Sequence, residues 1–202
     1  MKGDVAFVGD VHGNLIALLG LCDALVSLGQ PHTVFLGDYI NKGPQSGEVL
    51  QELLSQSEGG HATLLMGNHE AALLEALNTG DLTAFLKMGG AMTVRSYIGG
   101  DVGPDVLRDF RAAVPREHVE LLRRMPASYE LDDLIAQHNP PAVSTPKFQI
   151  SAHLPVGKLP RVENRSAHLD TGCGTPGGRL TALLWPSLNF IQVDAHGAIV
   201  TQ

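Results

Sequence analysis

One pattern occurs three times within the first seventy residues: a short apolar run, a corner of Gly followed by Asp or Asn, and a stretch with helical spacing. The runs span residues 5–8, 33–36 and 63–66. Each has four residues, which suits a buried strand and is too short for a core helix. Strands that alternate with helices predict βαβ units with parallel pairing, because the crossover helix covers one face of the sheet.

The rest of the chain divides into a helical middle and a strand-rich end. Helical spacing predicts helices that end near Gly29 and Gly59, a third helix over about residues 70–77, and a mostly helical region over residues 81–125. After Ser128, short apolar runs separated by Pro and Gly clusters favour a second, largely antiparallel sheet. The predicted strands span residues 134–137, 148–152, 180–184 and 190–193. The linkers are all short, so we predict a single domain over residues 1–202.

Composition narrows the range of partners. The chain has 202 residues with 44% hydrophobic, and 14 Lys and Arg against 21 Asp and Glu leave a net charge of −7. A chain without a basic surface is not expected to bind nucleic acid or an anionic membrane. The first apolar run is too short for a signal peptide, and no stretch has membrane-spanning length, so we predict a cytoplasmic protein. Two cysteines, Cys22 and Cys173, support no disulfide framework.

Polar side chains follow each of the three apolar runs. Asp10 and His12 follow the first, Asp38 the second, and Asn68 and His69 the third. Ligands of an open parallel sheet bind beyond the carboxyl ends of its strands, so these side chains are expected to converge. Each corner alone is typical turn chemistry. Together, oxygen and nitrogen ligands without thiolate favour manganese, iron or zinc, and a carboxylate that bridges suits a pair of divalent ions.

Three motifs carry a resemblance to a known family. GDVHG (residues 9–13), GDYINKG (residues 37–43) and GNHE (residues 67–70) resemble the signature blocks of the metallophosphoesterases. The similarity is to the phosphoprotein phosphatase family, which includes bacterial serine/threonine phosphatases and diadenosine tetraphosphatase. Two further segments, GGAMTVRSYIG and LDTGCGTPGGRLTALLW, extend it. The resemblance implies an α/β fold, a metallophosphoesterase-type β-sandwich of two mixed sheets flanked by helices in four layers (αββα).

The resemblance also implies a site with two divalent metal ions, manganese being expected and iron or zinc possible. His69 corresponds to the general acid, and Asn41 stands beside it. A hydroxide that bridges the two ions would attack phosphorus directly. The implied ligands are Asp10, His12 and Asp38 for the first ion, and Asp38, Asn68, His138 and His153 for the second, with His168 as an alternative to His153.

The second motif departs from the family pattern. Relatives carry Asp-Arg where this chain has Asn41 and Lys42. We expect the amide oxygen of Asn41 to accept a hydrogen bond from His69 without adding negative charge, which would lower the pKa of His69 and slow turnover. Exchange of Asn41 for Asp is then expected to raise activity at neutral pH. Lys42 would meet phosphate as a point charge, and Arg95 is the candidate for a second phosphate-binding cation.

These features predict a bacterial, cytoplasmic, metal-dependent phosphatase that acts on a phosphorylated protein or on a small phosphorylated metabolite or nucleotide. The leading hypothesis is a phosphomonoesterase of the serine/threonine phosphatase type. The alternatives are a dinucleoside polyphosphate hydrolase and a catalytically weakened homologue that binds phosphate as an interaction module. Cys173 and Arg179 have the Cys-x5-Arg spacing of tyrosine phosphatases, but Arg179 precedes a strand-like run rather than the helix that such a site needs.

Overall fold

The computed structural model describes residues 5–29, 31–141 and 145–201. The strands, in chain order, are β1 (Val5–Val8), β2 (His32–Phe35), β3 (Ala62–Leu64), β4 (Ser128–Glu130), β5 (Leu134–Gln137), β6 (Phe148–Ser151), β7 (Arg161–Val162), β8 (Ser166–His168), β9 (Leu180–Trp185) and β10 (Phe190–Val193). The helices are α1 (Leu15–Ser27), α2 (Ser46–Glu58), α3 (Asn68–Thr79), α4 (Thr83–Phe85), α5 (Ala91–Ile98), α6 (Val106–Ala113) and α7 (Arg116–Arg124), with a π-helical turn (Leu86–Gly90) between α4 and α5.

The first sheet has the strand order β10-β9-β1-β2-β3. β1 pairs with β2, and β2 with β3, in parallel, while β9 and β10 extend the other edge in antiparallel pairing. The helices α1 and α2 connect the parallel strands, so the predicted βαβ units are confirmed. The carboxyl ends of β1, β2 and β3 therefore lie at one edge of the sheet.

The second sheet has the strand order β4-β5-β6-β8-β7. The pairs β5–β6 and β6–β8 are parallel, whereas β4–β5 and β7–β8 are antiparallel. The largely antiparallel second sheet expected from the local pattern is thus wrong for half of the pairings. It is also wrong for the runs 180–184 and 190–193, which lie in the first sheet as β9 and β10. The two mixed sheets implied by the resemblance are confirmed, and the short strands β4, β7 and β8 were not predicted.

Two cores hold the layers together. One lies between the helices and the first sheet and contains Leu18, Phe35 and Leu50, and the other lies between the sheets and contains Phe7 and Ile150. The sheets are flanked by helices as expected. In the described part of the chain the helices pack against the first sheet, and the second sheet packs on its other face.

Local sequence sets where two site-bearing helices begin and end. α3 starts at Asn68, directly after an extended Gly67, and ends at Gly80 with φ 80°. Asn68 and His69 therefore occupy a helix's first turn, two residues earlier than the helix was expected to begin. Gly89, with φ 86°, interrupts the helical path before α5. No helix within the described residues is both long and apolar enough to cross a membrane.

Candidate metal centre

The structure brings seven of the predicted side chains to one edge of the sandwich. Six of them, all but Asn68, are linked by the short contacts given below to Asp38 or to one another, and Asn68 contacts two of the histidines. Asp10, His12 and Asp38 follow β1 and β2, Asn68 and His69 open α3, His138 follows β5, and His153 follows β6. Both sheets thus contribute, and most of these groups are buried.

The first cluster contains Asp10, His12 and Asp38. The Nε2 atom of His12 lies 3.5 Å from Asp10 Oδ2 and 4.0 Å from Asp38 Oδ2. His12 Nδ1 is 3.1 Å from the Ile40 carbonyl oxygen. A carbonyl oxygen can only accept, so Nδ1 carries a proton and Nε2 is left to face the carboxylates. His12 has a left-handed backbone conformation, with a φ of 48°.

The second cluster is tighter. His138 Nε2 lies 3.3 Å from Asp38 Oδ1 and 2.8 Å from Asn68 Oδ1. His153 Nδ1 lies 2.9 Å from the same Asn68 oxygen and 3.2 Å from His138 Nε2. The other nitrogen of His138 bonds to the Leu36 carbonyl oxygen at 3.1 Å, which fixes the ring.

These spacings fit the chemistry of a divalent ion. Ligands about 2.1 Å from an ion, in tetrahedral or octahedral array, are themselves about 3.0 to 3.4 Å apart. The atoms around His138 and Asn68 are 2.8 to 3.2 Å apart, close to this separation. The triads His12, Asp38, His69 and Asp38, His138, His153 each place their ligand atoms within 4.8 Å of one another, and Asp38 belongs to both. The donor set therefore suits two neighbouring ions on either side of Asp38.

The electrostatics of Asp38 follow from the histidines around it. Burial acts to raise its pKa, but the hydrogen bond and charge of His138 and the charges of His69 and His12 lower it to about 2. Burial acts to lower the pKa of His138, and Asp38 outweighs it, which raises that pKa to about 8. With this raised pKa, His138 favours its protonated form, and binding of a metal ion at its Nε2 would release that proton.

Asn41 and His69 are in contact, but the amide nitrogen of Asn41 faces the ring where its oxygen was expected. The amide nitrogen of Asn41 lies 2.6 Å from His69 Nδ1, whereas its oxygen accepts from Thr93 Oγ1 at 2.6 Å. The expectation that the amide oxygen faces His69 is therefore wrong in this structure. Burial lowers the pKa of His69 to about 4, against the opposing charge of Asp38. The direction is that expected, but its main cause is burial.

The two expected phosphate-binding cations have different surroundings. Lys42 reaches into the site, with Nζ 2.6 Å from His12 Nε2. An ion on His12 would require this ammonium to move. Arg95 is exposed on α5, two residues after the buried Thr93. Two residues turn an α-helix by about 200°, so Arg95 lies on the face away from Thr93 and Asn41.

Sequence reasoning missed two residues that hold the site loops. The buried carboxylate of Glu70 accepts backbone N–H bonds from Asp38 and Tyr39, both at 2.8 Å, and from Ile40 at 3.2 Å. Thr93 binds Asn41 from α5. Both residues lie inside motifs already noted, GNHE and GGAMTVRSYIG. The sequence therefore indicated that they lie near the site, but it did not indicate which groups they contact.

Two alternatives from the sequence lie outside the cluster. His168 bonds Ser151 Oγ at 2.9 Å from β8, whereas His153 contacts Asn68. The thiol of Cys173 is buried and donates to the Val11 carbonyl oxygen at 3.2 Å, and burial raises its pKa to about 12. Arg179 donates to Gln192 Oε1 at 3.0 Å. A protonated thiol without a facing arginine does not suit a cysteine nucleophile.

Comparison with known families agrees with this geometry. A family model described as calcineurin-like phosphoesterase matches residues 3–174. The fold is similar to the crystal structure of a protein provisionally assigned as a diadenosine tetraphosphatase. The TM-score is 0.71 at 21% identity, over 96% of this chain and 94% of that one. At this identity the likeness shows the fold alone.

Curated relatives fall into two groups by length. Bis(5'-nucleosyl)-tetraphosphatase PrpE (asymmetrical) of Halalkalibacterium halodurans is 22% identical over 96% of this chain and 95% of its own length. Serine/threonine-protein phosphatase 2 of Escherichia coli is 39% identical over 41% of this chain and 37% of its own length. Other relatives above 30% identity are likewise matched over less than half of their lengths.

Proposed function

The chain belongs to the calcineurin-like phosphoesterase family, and from this membership we propose that it hydrolyses phosphoric ester bonds with two divalent metal ions held on either side of Asp38. The observation that carries the proposal is the position of Asp38. Its Oδ1 lies 3.3 Å from His138 Nε2, and its Oδ2 lies 4.0 Å from His12 Nε2 and 3.7 Å from His69 Nε2. One carboxylate thus faces both clusters.

The ligands divide between the two ions as follows. Asp10, His12 and Asp38 would hold the first, and Asp38, Asn68, His138 and His153 the second. When bound, such a pair of ions, with manganese the favoured metal, lowers the pKa of water and polarises the phosphoryl oxygens. The fixed Nδ1 atoms of His12 and His138 keep both Nε2 atoms turned into the site, so these two rings need not rotate when the ions bind.

The remaining groups act on the substrate. His69 Nε2 lies 3.7 Å from Asp38 Oδ2 and would donate its proton to the leaving-group oxygen. Lys42 sits beside the first cluster on an exposed residue, so its ammonium can turn from His12 to a phosphoryl oxygen. A lysine supplies charge without the bidentate geometry of arginine, so we expect modest phosphate affinity.

The proposed substrate is a phosphomonoester of the serine or threonine type. The motif similarity to the E. coli serine/threonine phosphatase supports this choice. A dinucleoside polyphosphate is the second candidate, because the similarity to the H. halodurans tetraphosphatase extends over 96% of this chain and 95% of that one. The third possibility, a homologue that binds phosphate without turnover, would keep both clusters and lose only hydrolysis.

A metal-dependent activity assay tests the proposal. We expect the purified protein with Mn²⁺ to hydrolyse p-nitrophenyl phosphate, to stop when the ion is chelated, and to recover when it is restored. Asp38→Asn should reduce the rate about 100-fold or more, since it removes charge from both clusters. Asp101→Asn, an exposed site, and Cys173→Ser should retain the wild-type rate.

The same assay separates the candidates. Faster turnover of a phosphoserine peptide than of diadenosine tetraphosphate supports the first substrate class, and the reverse order supports the second. Metal binding without hydrolysis of any of these compounds would refute the proposal that the protein is a phosphatase. It would favour the third possibility, a homologue that binds phosphate without turnover.

A further inference from the structure

The environment of His69 differs from that of the other histidines in the site. His12 and His138 each place Nδ1 against a carbonyl oxygen, which can only accept. His69 places Nδ1 2.6 Å from the amide nitrogen of Asn41, which can only donate. The hydrogen-bond partners of these rings therefore demand opposite protonation at Nδ1.

The orientation of the Asn41 amide is set by its other neighbours. Its oxygen accepts from the Thr93 hydroxyl at 2.6 Å, and its nitrogen also faces the Met88 carbonyl oxygen at 3.4 Å. The reverse orientation would turn the amide oxygen toward that carbonyl oxygen, where no proton is available for a bond. Asn41 is fully buried, so water does not supply a substitute.

The hydroxyl groups behind Asn41 complete a directed chain. Thr93 Oγ1 lies 2.9 Å from Ser46 Oγ, and both hydroxyls are fully buried. Thr93 Oγ1 could donate to either the Asn41 oxygen or Ser46 Oγ, and it has one hydroxyl proton. We assign that proton to the shorter contact, with Asn41, which leaves the Ser46 hydroxyl as the donor in the other. The Nδ2–H group of Asn41 in turn donates a hydrogen bond to His69 Nδ1. The backbone N–H of Asn41 fixes the same two hydroxyls from the other side, at 3.1 and 2.9 Å.

From this geometry we propose that the Ser46, Thr93 and Asn41 network fixes the tautomer of His69, with Nδ1 as the acceptor and the proton on Nε2, so that Nε2–H is the hydrogen-bond donor to a substrate oxygen. The inference rests on the proposed function for the identity of the substrate, and it names the side chains that orient His69. Thr93 is a positioning residue.

Nitrogen NMR of metal-free protein tests the tautomer without any substrate. Histidine is labelled with ¹⁵N, the His69 signals are assigned by their loss in His69→Gln, and spectra are recorded at about pH 8, where an unperturbed imidazole is neutral. We expect a pyrrole-type shift at Nε2 and a pyridine-type shift at Nδ1. The opposite assignment in the wild-type protein would overturn the proposal.

Four variants, one of them a control, test whether this network fixes the tautomer. Thr93→Val removes the hydroxyl that holds the amide oxygen, so the two His69 shifts should move toward each other as both tautomers become populated, and Thr93→Ser should restore them. Thr33→Val, at another buried threonine, should leave them unchanged. Asn41→Asp presents an acceptor in any orientation and should exchange the two shifts, which keeps the test decisive if Thr93→Val does not fold. Unchanged shifts in Asn41→Asp would refute this role of the network.

The result is independent of the proposed activity. An Nε2–H tautomer in a protein without hydrolysis refutes the proposed function and leaves the proposed tautomer in place. An Nδ1–H tautomer in an active enzyme refutes the proposed tautomer and leaves the function in place.

Discussion

Five residues of the candidate site have a left-handed backbone conformation, which residues other than glycine rarely adopt. His12, Asp38, Asn41, Lys42 and His153 have φ values of 48°, 56°, 70°, 57° and 65°. Each such residue costs on the order of 1–3 kcal/mol and persists only where its surroundings hold it. The loops of the site are therefore under strain, which the buried hydrogen bonds around them offset.

Glu70 is the side chain that holds the Asp38 loop. We predict that Glu70→Ala destabilises the metal-free protein by about 3 kcal/mol or more, because three buried backbone N–H groups lose their acceptor. Urea denaturation measures the change. Glu75→Ala, on the exposed side of the same helix, should stay within about 0.5 kcal/mol of wild type. Equal losses in the two variants would contradict the role of Glu70.

Lys42 competes with the first ion in the metal-free arrangement. We predict that Lys42→Met strengthens Mn²⁺ binding at the His12 cluster about tenfold, since it removes a positive charge 2.6 Å from a ligand atom. The same variant should raise the KM for a phosphomonoester, because the phosphoryl group loses a cation.

Isothermal titration with Mn²⁺ and steady-state kinetics provide these two values. Lys158→Met removes an exposed lysine and should change neither. If Lys42→Met leaves both metal affinity and KM at the control values, then Lys42 belongs neither to the ion site nor to the phosphate site.

At the scale of elements, the sequence predicted the first sheet better than the second. The strands β1, β2 and β3 lie in a regular alternation with helices, and periodicity identifies such units directly. Among the described residues, no helix lies between the parallel strands of the second sheet. The short Pro-rich connections, such as residues 139–146, therefore favoured antiparallel neighbours in the prediction. Residues 142–144 of that connection lie outside the described part of the chain. Pairing direction there depends on long-range packing, which a local pattern does not encode.

Three helices meet at His118, and this contact gives the fold a pH dependence. His118 Nδ1 accepts from the Tyr97 hydroxyl at 2.7 Å, and Nε2 faces Gln51 Oε1 at 3.2 Å, so the ring joins α7 to α5 and α2. Burial lowers its pKa below the ordinary 6.5. The folded protein thus binds fewer protons than the unfolded chain, and the stability that His118 contributes is present above about pH 6.5 and lost as the pH falls below it.

We therefore predict a smaller acid loss of stability in His118→Gln than in the wild-type protein. The free energy of unfolding, measured in urea between about pH 7 and pH 5, should fall less steeply in the variant, by at most about 1.4 kcal/mol per pH unit. His196→Gln, at an exposed histidine, should follow the wild-type slope. A His118→Gln slope as steep as that of the control would contradict this account.

At the scale of the whole molecule, the site depends on the packing of the two sheets. Asp10 and Asp38 come from the first sheet, and His138 and His153 from the second, so the inter-sheet core around Phe7 and Ile150 sets the distance between them. The sequence predicted which residues gather, through the motifs and the resemblance. It did not predict that Arg95 would lie on the far face of α5 or that Asn41 would turn its nitrogen to His69. Both depend on how α5 is oriented after the Gly89 break.

The measurement that bears most directly on the paired-ion site is electron paramagnetic resonance of the protein titrated with Mn²⁺. We predict two equivalents per chain and, as the second binds, the exchange-coupled spectrum of ions roughly 3.5 to 4 Å apart. Asp38→Asn should abolish the coupled spectrum. One equivalent per chain, or two that remain uncoupled in the wild-type protein, would contradict a pair of ions joined by Asp38.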